Sequence, residues 1–153
     1  MVFLKIVHWW ISILLVTFTF TKGYNKMNAT QKQEVQTFIA NYAAALNAAS
    51  TELISDYYAS GGLFMPDGYP TFNNGEQFKR NIISFFRKKS ILIDYVITDI
   101  SIDGTIALVN ALAATRSTDL TTKIETTKTT RDFFVLKLEG KEWKILRYLF
   151  NNF

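Results

Sequence analysis

The chain has 153 residues, no cysteine and a single histidine, His8, and it carries 17 basic and 13 acidic side chains. Three of the basic residues and none of the acidic ones lie within residues 1–26. The rest of the chain therefore has 14 basic and 13 acidic side chains and a net charge of +1. This balance argues against nucleic acid as a partner. Beyond Met27, the absence of imidazole and thiol groups excludes a histidine base, a cysteine nucleophile and a His/Cys metal cage.

The first part of the chain has the pattern of a leader. Phe3–Phe20 is a nearly uncharged apolar run, with Lys5 near its start and a polar stretch behind it. This order is typical of a secretory signal peptide. The run also has roughly the 18 to 20 residues that a helix needs to cross a bilayer, and the two tryptophans beside His8 suit a membrane interface, so a membrane anchor is an alternative. A third interpretation is that translation starts at Met27.

These interpretations set the expected domains and location. Residues 1–26 are predicted to be a signal peptide or membrane anchor, and residues 27–153 to form one domain with one apolar core. The protein is expected to be secreted or membrane-anchored, or cytoplasmic if Met27 is the start. A membrane would be contacted only through residues 3–20, if they are not cleaved.

Helical periodicity begins directly after the leader. An apolar stripe predicts a first helix over residues 31–48, and Thr30 and Gln33 have the spacing of a capping box ahead of it. A shorter second helix is predicted over Thr51–Ala59. It should stop at Gly61-Gly62, because paired glycines favour the end of a helix.

A third helix is predicted after a short extended piece. Leu63–Met65 is followed by the turn Pro66–Gly68, and Asn74 is then placed to cap the next helix. One side of that helix is apolar. The other side is predicted to be a solvated basic face of Lys79, Arg80, Arg87, Lys88 and Lys89.

From Ile91 onward the hydrophobic period changes to two, which predicts strands. Asp103-Gly104 is a hairpin signal. The threonine-rich stretch Thr115–Thr130 is predicted to be a strand pair with an exposed tip, with a disordered loop as the alternative. Helices followed by strands indicate an α+β domain with helices packed on one face of a curved antiparallel sheet. The predicted strands are Ile91–Ile102, Ile106–Thr118, Thr126–Leu138 and Trp143–Phe150.

Four segments together resemble a known superfamily: Asn41–Ala48, the turn Leu63–Gly68, the cap Asn74–Glu76 and the ending Trp143–Asn151. From about Thr30 onward, the chain resembles the SnoaL-like branch of the nuclear-transport-factor-2-like, or ketosteroid-isomerase-like, superfamily. The resemblance implies a cone-like α+β fold, in which three N-terminal helices pack on a curved, mainly antiparallel sheet of four to six strands around a deep apolar pocket. It also implies dimers through the outer sheet face. Members include isomerases, cyclases, dehydratases, hydrolases and binding modules, so the fold alone does not decide the activity.

The resemblance implies two hydrogen-bond donors for a developing oxyanion. In the isomerase branch one is a tyrosine on the first helix, and Tyr42 stands at the matching place. The other is a carboxylic acid kept neutral by apolar surroundings, for which Asp132 is the nearest equivalent. Independently of the resemblance, strand alternation places Asp132 on one mostly apolar face with Thr130 and Phe134, where desolvation would raise the pKa of its carboxyl group.

The general base is where the chain departs from the family pattern. Met65 stands at the position of the family's acid, and Asp67 lies two residues later in the turn. Ketosteroid isomerase activity itself is therefore not expected, and Asp67 or water would have to move the proton. The side chains predicted to contact a ligand are Tyr42, Phe64, Met65, Asn110, Phe134, Trp143 and Arg147.

The three catalytic candidates also have structural interpretations. Tyr42 can be a core aromatic residue with a satisfied hydroxyl group, and Asp67 can simply form its turn. Asp132 can belong to a structural ion pair. The arginines considered as its partners are Arg116, Arg131 and Arg147.

Three further candidates are open in the same way. Asn110 can present a polar group to the pocket or mark a strand bulge. Trp143 can pack in the core or contact the ligand. Arg147 can hold a carboxylate of a ligand or of the protein itself.

Three functional classes fit these observations. The first is an enzyme that needs no cofactor and uses isomerase-, cyclase- or hydrolase-type proton transfer on a small hydrophobic substrate. The second is a non-catalytic domain that binds such a molecule, and the third is a dimerisation or interaction module. The sequence contains no glycine-rich phosphate loop and no metal-ligand cluster, so no cofactor is expected. The overall prediction is a protein, expected to be a homodimer, that binds or transforms a small hydrophobic molecule in an apolar pocket.

Overall fold

The computed structural model describes residues 29–152. The predicted signal peptide or anchor and the alternative start at Met27 lie outside the described residues. Within residues 29–152, no helix is both long enough and apolar enough to span a bilayer.

The described part of the chain contains three helices and six strands. Helix α1 covers residues 29–47, helix α2 is Thr51–Asp56 and helix α3 is Glu76–Lys88. The strands are β1 Tyr58–Pro66, β2 Phe72–Asn73, β3 Lys89–Asp103, β4 Ile106–Asp119, β5 Glu125–Glu139 and β6 Glu142–Asn152.

All six strands belong to one sheet, in the order β2-β1-β6-β5-β4-β3. Neighbouring strands are antiparallel except β1 and β6, which run parallel. The predicted α+β class, with three helices packed on a curved and mainly antiparallel sheet, is confirmed, and the strand number is the upper end of the expected range. The hairpin at Asp103-Gly104 and the long β4–β5 pair with its exposed tip are also confirmed.

The core lies between the helices and one face of the sheet. Val35 and Ile39 of α1 and Phe78 of α3 belong to the same buried cluster as Val109 and Phe134 of the sheet. Removing a side chain as large as that of Phe134 from water contributes about 2–3 kcal/mol. Strand alternation directs the intervening side chains to the other face of the sheet.

The second helix is shorter than the sequence indicates. It ends at Asp56, and Tyr58, predicted to be helical, begins strand β1. The amide of Ile145 donates a hydrogen bond to the carbonyl of Tyr57, and the Tyr58 ring packs against Phe78. Pairing with β6 and aromatic packing therefore override the local helical pattern.

Gly62 of β1 allows a close approach to β6, and neither it nor Gly61 ends a helix. A Cβ added to Gly62 would lie 2.6 Å from the carbonyl oxygen of Ile145 and 2.9 Å from that of Ala59. Gly61 has a φ of +71°, a conformation that favours glycine. The β1–β6 register shifts between Tyr58 and Leu63, at these glycines.

Both predicted side-chain caps are wrong. Residue 29 is already helical, so Thr30 lies inside α1. Gly75 occupies the N-cap position of α3. The Asn74 side chain instead donates to the carbonyl oxygens of Tyr58 and Ala59, each at 3.2 Å, and so connects the start of α3 to β1.

Candidate functional site

Four tyrosines and one aspartate from five different elements meet in the interior. They are Tyr42 of α1, Tyr58 of β1, Tyr95 of β3, Asp132 of β5 and Tyr148 of β6, and we call them the tyrosine–aspartate cluster. Asp132 is only 3% exposed. A buried carboxyl group requires hydrogen-bond partners, because an unsatisfied one costs several kcal/mol.

The sheet register explains how Asp132 and Tyr148 come together. Thr130, Asp132 and Phe134 alternate onto the buried face of β5, and Phe134 pairs with Tyr148. The β5–β6 register shifts at Leu146, which adds one residue to β6. The extra residue moves Tyr148 onto the buried face, because a one-residue shift reverses the side-chain direction.

Both oxygens of the Asp132 carboxyl group accept hydrogen bonds from hydroxyl groups. The Tyr148 hydroxyl donates to Oδ2 at 2.6 Å, and the Thr130 hydroxyl donates to Oδ1. The Tyr95 and Tyr148 hydroxyl oxygens are 3.0 Å apart. Because Tyr148 has one proton and donates it to Asp132, Tyr95 is the donor in this second bond.

A second hydroxyl pair lies beside this chain of hydrogen bonds. The hydroxyl oxygens of Tyr42 and Tyr58 are 3.0 Å apart. The Tyr42 ring meets the rings of Tyr148 and Phe134 edge-on, with centroids 6.2 and 6.3 Å away. Phe134 in turn stacks on Tyr148 at 4.2 Å and 9°. Aromatic rings therefore surround the polar atoms of the cluster.

Burial shifts the acid–base properties of the cluster. Desolvation raises the pKa of Asp132 above its usual value, and the hydrogen bonds from Thr130 and Tyr148 oppose this shift. Desolvation also raises the pKa of Tyr42, with the hydrogen bond to Tyr58 opposing the shift and the charge of Asp132 adding to it. The phenols therefore remain protonated hydrogen-bond donors at neutral pH.

Comparison with known proteins identifies the family of this fold. A family model described as a SnoaL-like domain matches residues 35–150. The chain belongs to the SnoaL-like domain family. The predicted resemblance to the SnoaL-like branch is thus confirmed. No curated protein matches the chain.

Solved structures with the same fold as this SnoaL-like domain share little sequence with it. A ketosteroid isomerase-like protein from Erwinia carotovora atroseptica has a TM-score of 0.71 and 19% identity, covering 78% of this chain and 94% of its own. A conserved protein from Planctomyces limnophilus has a TM-score of 0.71 and 13% identity, covering 82% and 99%. A putative scytalone dehydratase from Novosphingobium aromaticivorans has a TM-score of 0.69 and 14% identity, covering 82% and 86%. At these identities the likeness shows the fold alone.

The SnoaL-like domain brings two of the three catalytic candidates together. Tyr42 and Asp132 both lie in the tyrosine–aspartate cluster. Asp67 is exposed and accepts hydrogen bonds from the backbone and side-chain amide nitrogens of Asn152, at 3.3 and 2.5 Å. It therefore connects its turn to the end of β6, as a structural residue would.

Two of the arginines considered as partners of Asp132, Arg116 and Arg147, have other contacts. Arg116 forms an ion pair with Glu125, at 3.4 Å. Arg147 donates to the carbonyl oxygens of Leu146 and Gly61. The carboxyl group of Asp132 accepts hydrogen bonds from the hydroxyl groups of Thr130 and Tyr148. These partners are uncharged, in contrast to the arginine of the predicted ion pair.

The predicted ligand-contacting residues of β1 divide between the two faces of the strand. Phe64 stacks on Tyr148, with ring centroids 5.1 Å apart, and thus borders the tyrosine–aspartate cluster. Alternation places Met65, the next residue, on the opposite face. The structure therefore places Phe64, but not Met65, beside the cluster.

Asn110 does not project into the interior as the sequence predicted. It is exposed, while its neighbours Val109 and Ala111 in β4 are buried. The alternative of a bulge is correct in part, since the β3–β4 register shifts directly opposite, between Ile97 and Asp99.

The last two candidates have contrasting environments. Trp143 is buried in the core, and its indole Nε1 has no hydrogen-bond partner among residues 29–152. Arg147 is half-buried and bonds to main-chain oxygens. Trp143 therefore offers a buried donor, whereas Arg147 stabilises the backbone around the bulge of β6.

Sequence reasoning missed three tyrosines of the cluster. Tyr95 alternates with Ile93 and Ile97, so its inward direction could have been inferred from β3 alone. Tyr58 was assigned to a helix, and the bulge of β6 conceals the direction of Tyr148. No group of three His, Cys, Asp or Glu side chains suited to a metal ion occurs among the described residues.

Proposed function

We propose that this SnoaL-like domain binds a small hydrophobic molecule carrying a hydrogen-bond-accepting oxygen, next to the tyrosine–aspartate cluster, and transfers a proton without a cofactor. The observation that carries the proposal is the position of the Asp132 carboxyl group, hydrogen-bonded by Tyr148 and Thr130 inside an aromatic surround. Buried polar groups that converge in an apolar environment are typical of small-molecule sites.

Proton counting predicts which group meets the ligand oxygen. The bonds from Tyr95 to Tyr148 and from Tyr148 to Asp132 use the protons of both phenols. In the Tyr42–Tyr58 pair, one phenol donates to the other, so one proton of the pair remains available for an external acceptor. That proton is the proposed donor to a carbonyl or developing oxyanion.

Asp132 is the proposed proton acceptor. A carboxylate has further lone pairs after accepting two hydrogen bonds, and a raised pKa makes it a stronger base. In the proposed step, Asp132 takes a proton from the carbon next to a carbonyl group, the C–H electron pair forms an enolate, and the same proton or one from water is returned. The names ketosteroid isomerase-like protein and putative scytalone dehydratase, given to two similar structures, support this class of chemistry.

Binding is tested with 2-naphthol, a small aromatic alcohol, and with native mass spectrometry of the purified protein. We expect a co-purified small molecule or saturable 2-naphthol binding. Affinity should fall about tenfold in the Tyr42→Phe/Tyr58→Phe double variant, since one hydrogen bond in a buried site contributes on the order of 1.4 kcal/mol. Tyr57→Phe is the matched control, because Tyr57 packs against Tyr42 but lies outside the cluster. An empty protein that does not bind 2-naphthol would refute the proposal.

Proton transfer is tested separately with 2-tetralone in deuterated water. Exchange of its α-protons, followed by NMR, should be accelerated by the wild-type protein and reduced to the buffer rate by Asp132→Asn. Asp67→Asn should retain the wild-type rate, because Asp67 is exposed and bonded to Asn152. Equal rates for wild type and Asp132→Asn would remove the catalytic part and leave a binding domain.

A second candidate function is homodimerisation through the outer face of the sheet. Val96, Leu108, Leu112 and Leu149 are exposed there. The register places Val96 opposite Leu112, on neighbouring strands of that face. Contiguous exposed apolar side chains of this kind favour an interface.

Light scattering at tens of micromolar tests the dimer. We expect a dimer for the wild type and a monomer for Val96→Arg/Leu112→Arg. Leu53→Arg is the control, because Leu53 is equally apolar and exposed but belongs to α2. A wild-type monomer at this concentration would exclude the dimer.

A further inference from the structure

A second set of side chains, separate from the tyrosine–aspartate cluster, lies where α3 meets the β4–β5 hairpin. Lys88 ends α3, Lys89 begins β3, and Leu120, Lys123 and Ile124 belong to the turn between β4 and β5. We call these five residues the basic tip. The amide of Leu120 donates to the carbonyl oxygen of Lys88 at 2.8 Å, which fastens the turn to the end of the helix.

The turn of the basic tip is held in one conformation by its own hydrogen bonds. The Asp119 carboxylate accepts from the amides of Thr121 and Thr122, each at 2.9 Å. The Asp119 amide donates to the carbonyl oxygen of Ile124, and the Lys123 amide donates to that of Asp119, both at 2.9 Å. Lys123 adopts a φ of 62°, which is uncommon for a residue other than glycine.

This turn keeps two large apolar side chains in water. Leu120 is 39% exposed and Ile124 is 63% exposed. Apolar surface is favourably removed from water, so the outward position of these two side chains makes them available for burial against a partner surface.

Positive charge is concentrated around these two side chains. Arg87 and Arg116 join the three lysines of the basic tip, and the acids nearby in sequence are Asp119 and Glu125, giving five basic against two acidic groups. The remaining described residues have nine basic and eleven acidic groups. Asp119 is bonded by the turn amides, and Glu125 is paired with Arg116.

The opposite end of the sheet has a different arrangement. Two of its lysines form ion pairs within the sheet, Lys137 with Glu139 at 3.3 Å and Lys144 with Glu142 at 3.1 Å. Residues 27–153 are nearly neutral as a whole. The excess positive charge therefore lies at one end of the strands, at the basic tip.

We propose that the basic tip docks on an anionic lipid bilayer. Leu120 and Ile124 enter the boundary between headgroups and acyl chains, and Lys88, Lys89 and Lys123 face anionic headgroups. This pairing of exposed apolar side chains with basic ones matches the two contributions to peripheral membrane binding, apolar burial and electrostatic attraction. Nucleic acid would use the lysines but would leave Ile124 in water.

The test uses the absence of cysteine from the chain. A cysteine introduced by Ile124→Cys is labelled with the environment-sensitive dye NBD in the full-length protein, and Lys141→Cys at the opposite hairpin is the control site. Vesicles of equimolar phosphatidylserine and phosphatidylcholine should shift the emission of the label at position 124 to shorter wavelength, but not that at position 141. Pure phosphatidylcholine vesicles, or high salt, should weaken the response, because the attraction is screened.

Charge-reversal variants separate docking by the tip from other membrane contacts. In the background labelled at position 124, Lys88→Glu/Lys89→Glu should weaken the apparent vesicle affinity at least about tenfold. Lys137→Glu/Lys144→Glu, with the same change in net charge, should not. Circular dichroism checks that each variant is folded. Equal responses at both labelled sites, or none with anionic vesicles, would overturn the proposal, and a response only to soluble polyglutamate would assign the surface to an acidic protein instead.

Discussion

The hydroxyl of Tyr148 donates a 2.6 Å hydrogen bond to Oδ2 of Asp132, while the ring of the same tyrosine stacks on Phe134 at 4.2 Å. One side chain thus joins the polar and the apolar halves of the candidate site. Its ring fixes the position of its hydroxyl, and the hydroxyl fixes the carboxyl group. The properties of Asp132 therefore depend on aromatic packing as well as on hydrogen bonding.

Asp132 should make the stability of the protein depend on pH. Desolvation raises its pKa above the usual 3.8, so the folded protein binds this proton more tightly than the unfolded chain does. At pH values below the pKa that Asp132 has in the unfolded chain, its full contribution to the free energy of unfolding is present. That contribution is lost as the pH rises through the pKa that Asp132 has in the folded protein. We expect the free energy of unfolding of the wild type, relative to Asp132→Asn, to fall with rising pH across this range in urea titrations.

Asp119 provides a control of opposite sign. Hydrogen bonds from the backbone amides of Thr122 and Thr121 lower its pKa. At pH values above the pKa that Asp119 has in the unfolded chain, its full contribution to the free energy of unfolding is present. That contribution is lost as the pH falls through the pKa that Asp119 has in the folded protein. The difference between wild type and Asp119→Asn should therefore rise with pH over the acid range. If the wild-type-minus-variant difference in the free energy of unfolding changed with pH in the same direction for Asp132→Asn and Asp119→Asn, the opposite pKa shifts of these aspartates would be contradicted.

Removing the Tyr148 hydroxyl should lower the free energy of unfolding by more than the loss of one hydrogen bond, because this hydroxyl takes part in two. Tyr148→Phe takes a donor from Asp132 and an acceptor from Tyr95. We expect a loss of about 1–3 kcal/mol in the free energy of unfolding at neutral pH, because buried partners lose their hydrogen bonds. Tyr69→Phe, at a residue that is 70% exposed, should stay within about 0.5 kcal/mol of the wild type. Equal effects of both variants in urea titrations would show that the Tyr148 hydroxyl carries no structural role.

The sequence predicted the fold better than it predicted the site. Periods of 3.6 and 2 gave the first helix and the four long strands, because each of these elements has one buried face along its length. Tyr42 and Asp132 were named as candidates by the resemblance to the isomerase branch, and the strand alternation around Asp132 supported that residue independently. The fold class was therefore within reach of pattern reasoning, whereas the two central candidates depended on the family resemblance.

The errors occur where tertiary contacts override a local pattern. Tyr58 has helical neighbours in sequence, but pairing with β6 draws it into a strand. Tyr148 follows a bulge, so counting from Trp143 gives the wrong face. Asn110 stands opposite another bulge, in β3. Such shifts of register depend on the neighbouring strand, and one strand's own sequence does not contain them.

The glycine pair of β1 allows a matched test of close packing. Gly62→Ala should destabilise the protein by about 1–3 kcal/mol or more, because its Cβ would meet main-chain oxygens that cannot move independently. Gly61→Ala meets no atom within 4 Å but has a φ of +71°, so about 1 kcal/mol of conformational strain is expected. Urea titrations at neutral pH measure both. A larger loss for Gly61→Ala would contradict the close approach of β1 to Ile145.

Phe134 should couple the core to the candidate site. It is fully buried, so Phe134→Ala should cost about 3–5 kcal/mol in the free energy of unfolding. Phe134→Leu retains much of the buried volume and should cost about 1.5 kcal/mol or less, yet it removes the flat surface on which Tyr148 stacks. If that stacking orients the hydroxyl, Phe134→Leu should slow the exchange of 2-tetralone more than its stability loss explains. Leu136→Met, at another fully buried residue of β5, is the control that should leave the exchange rate unchanged.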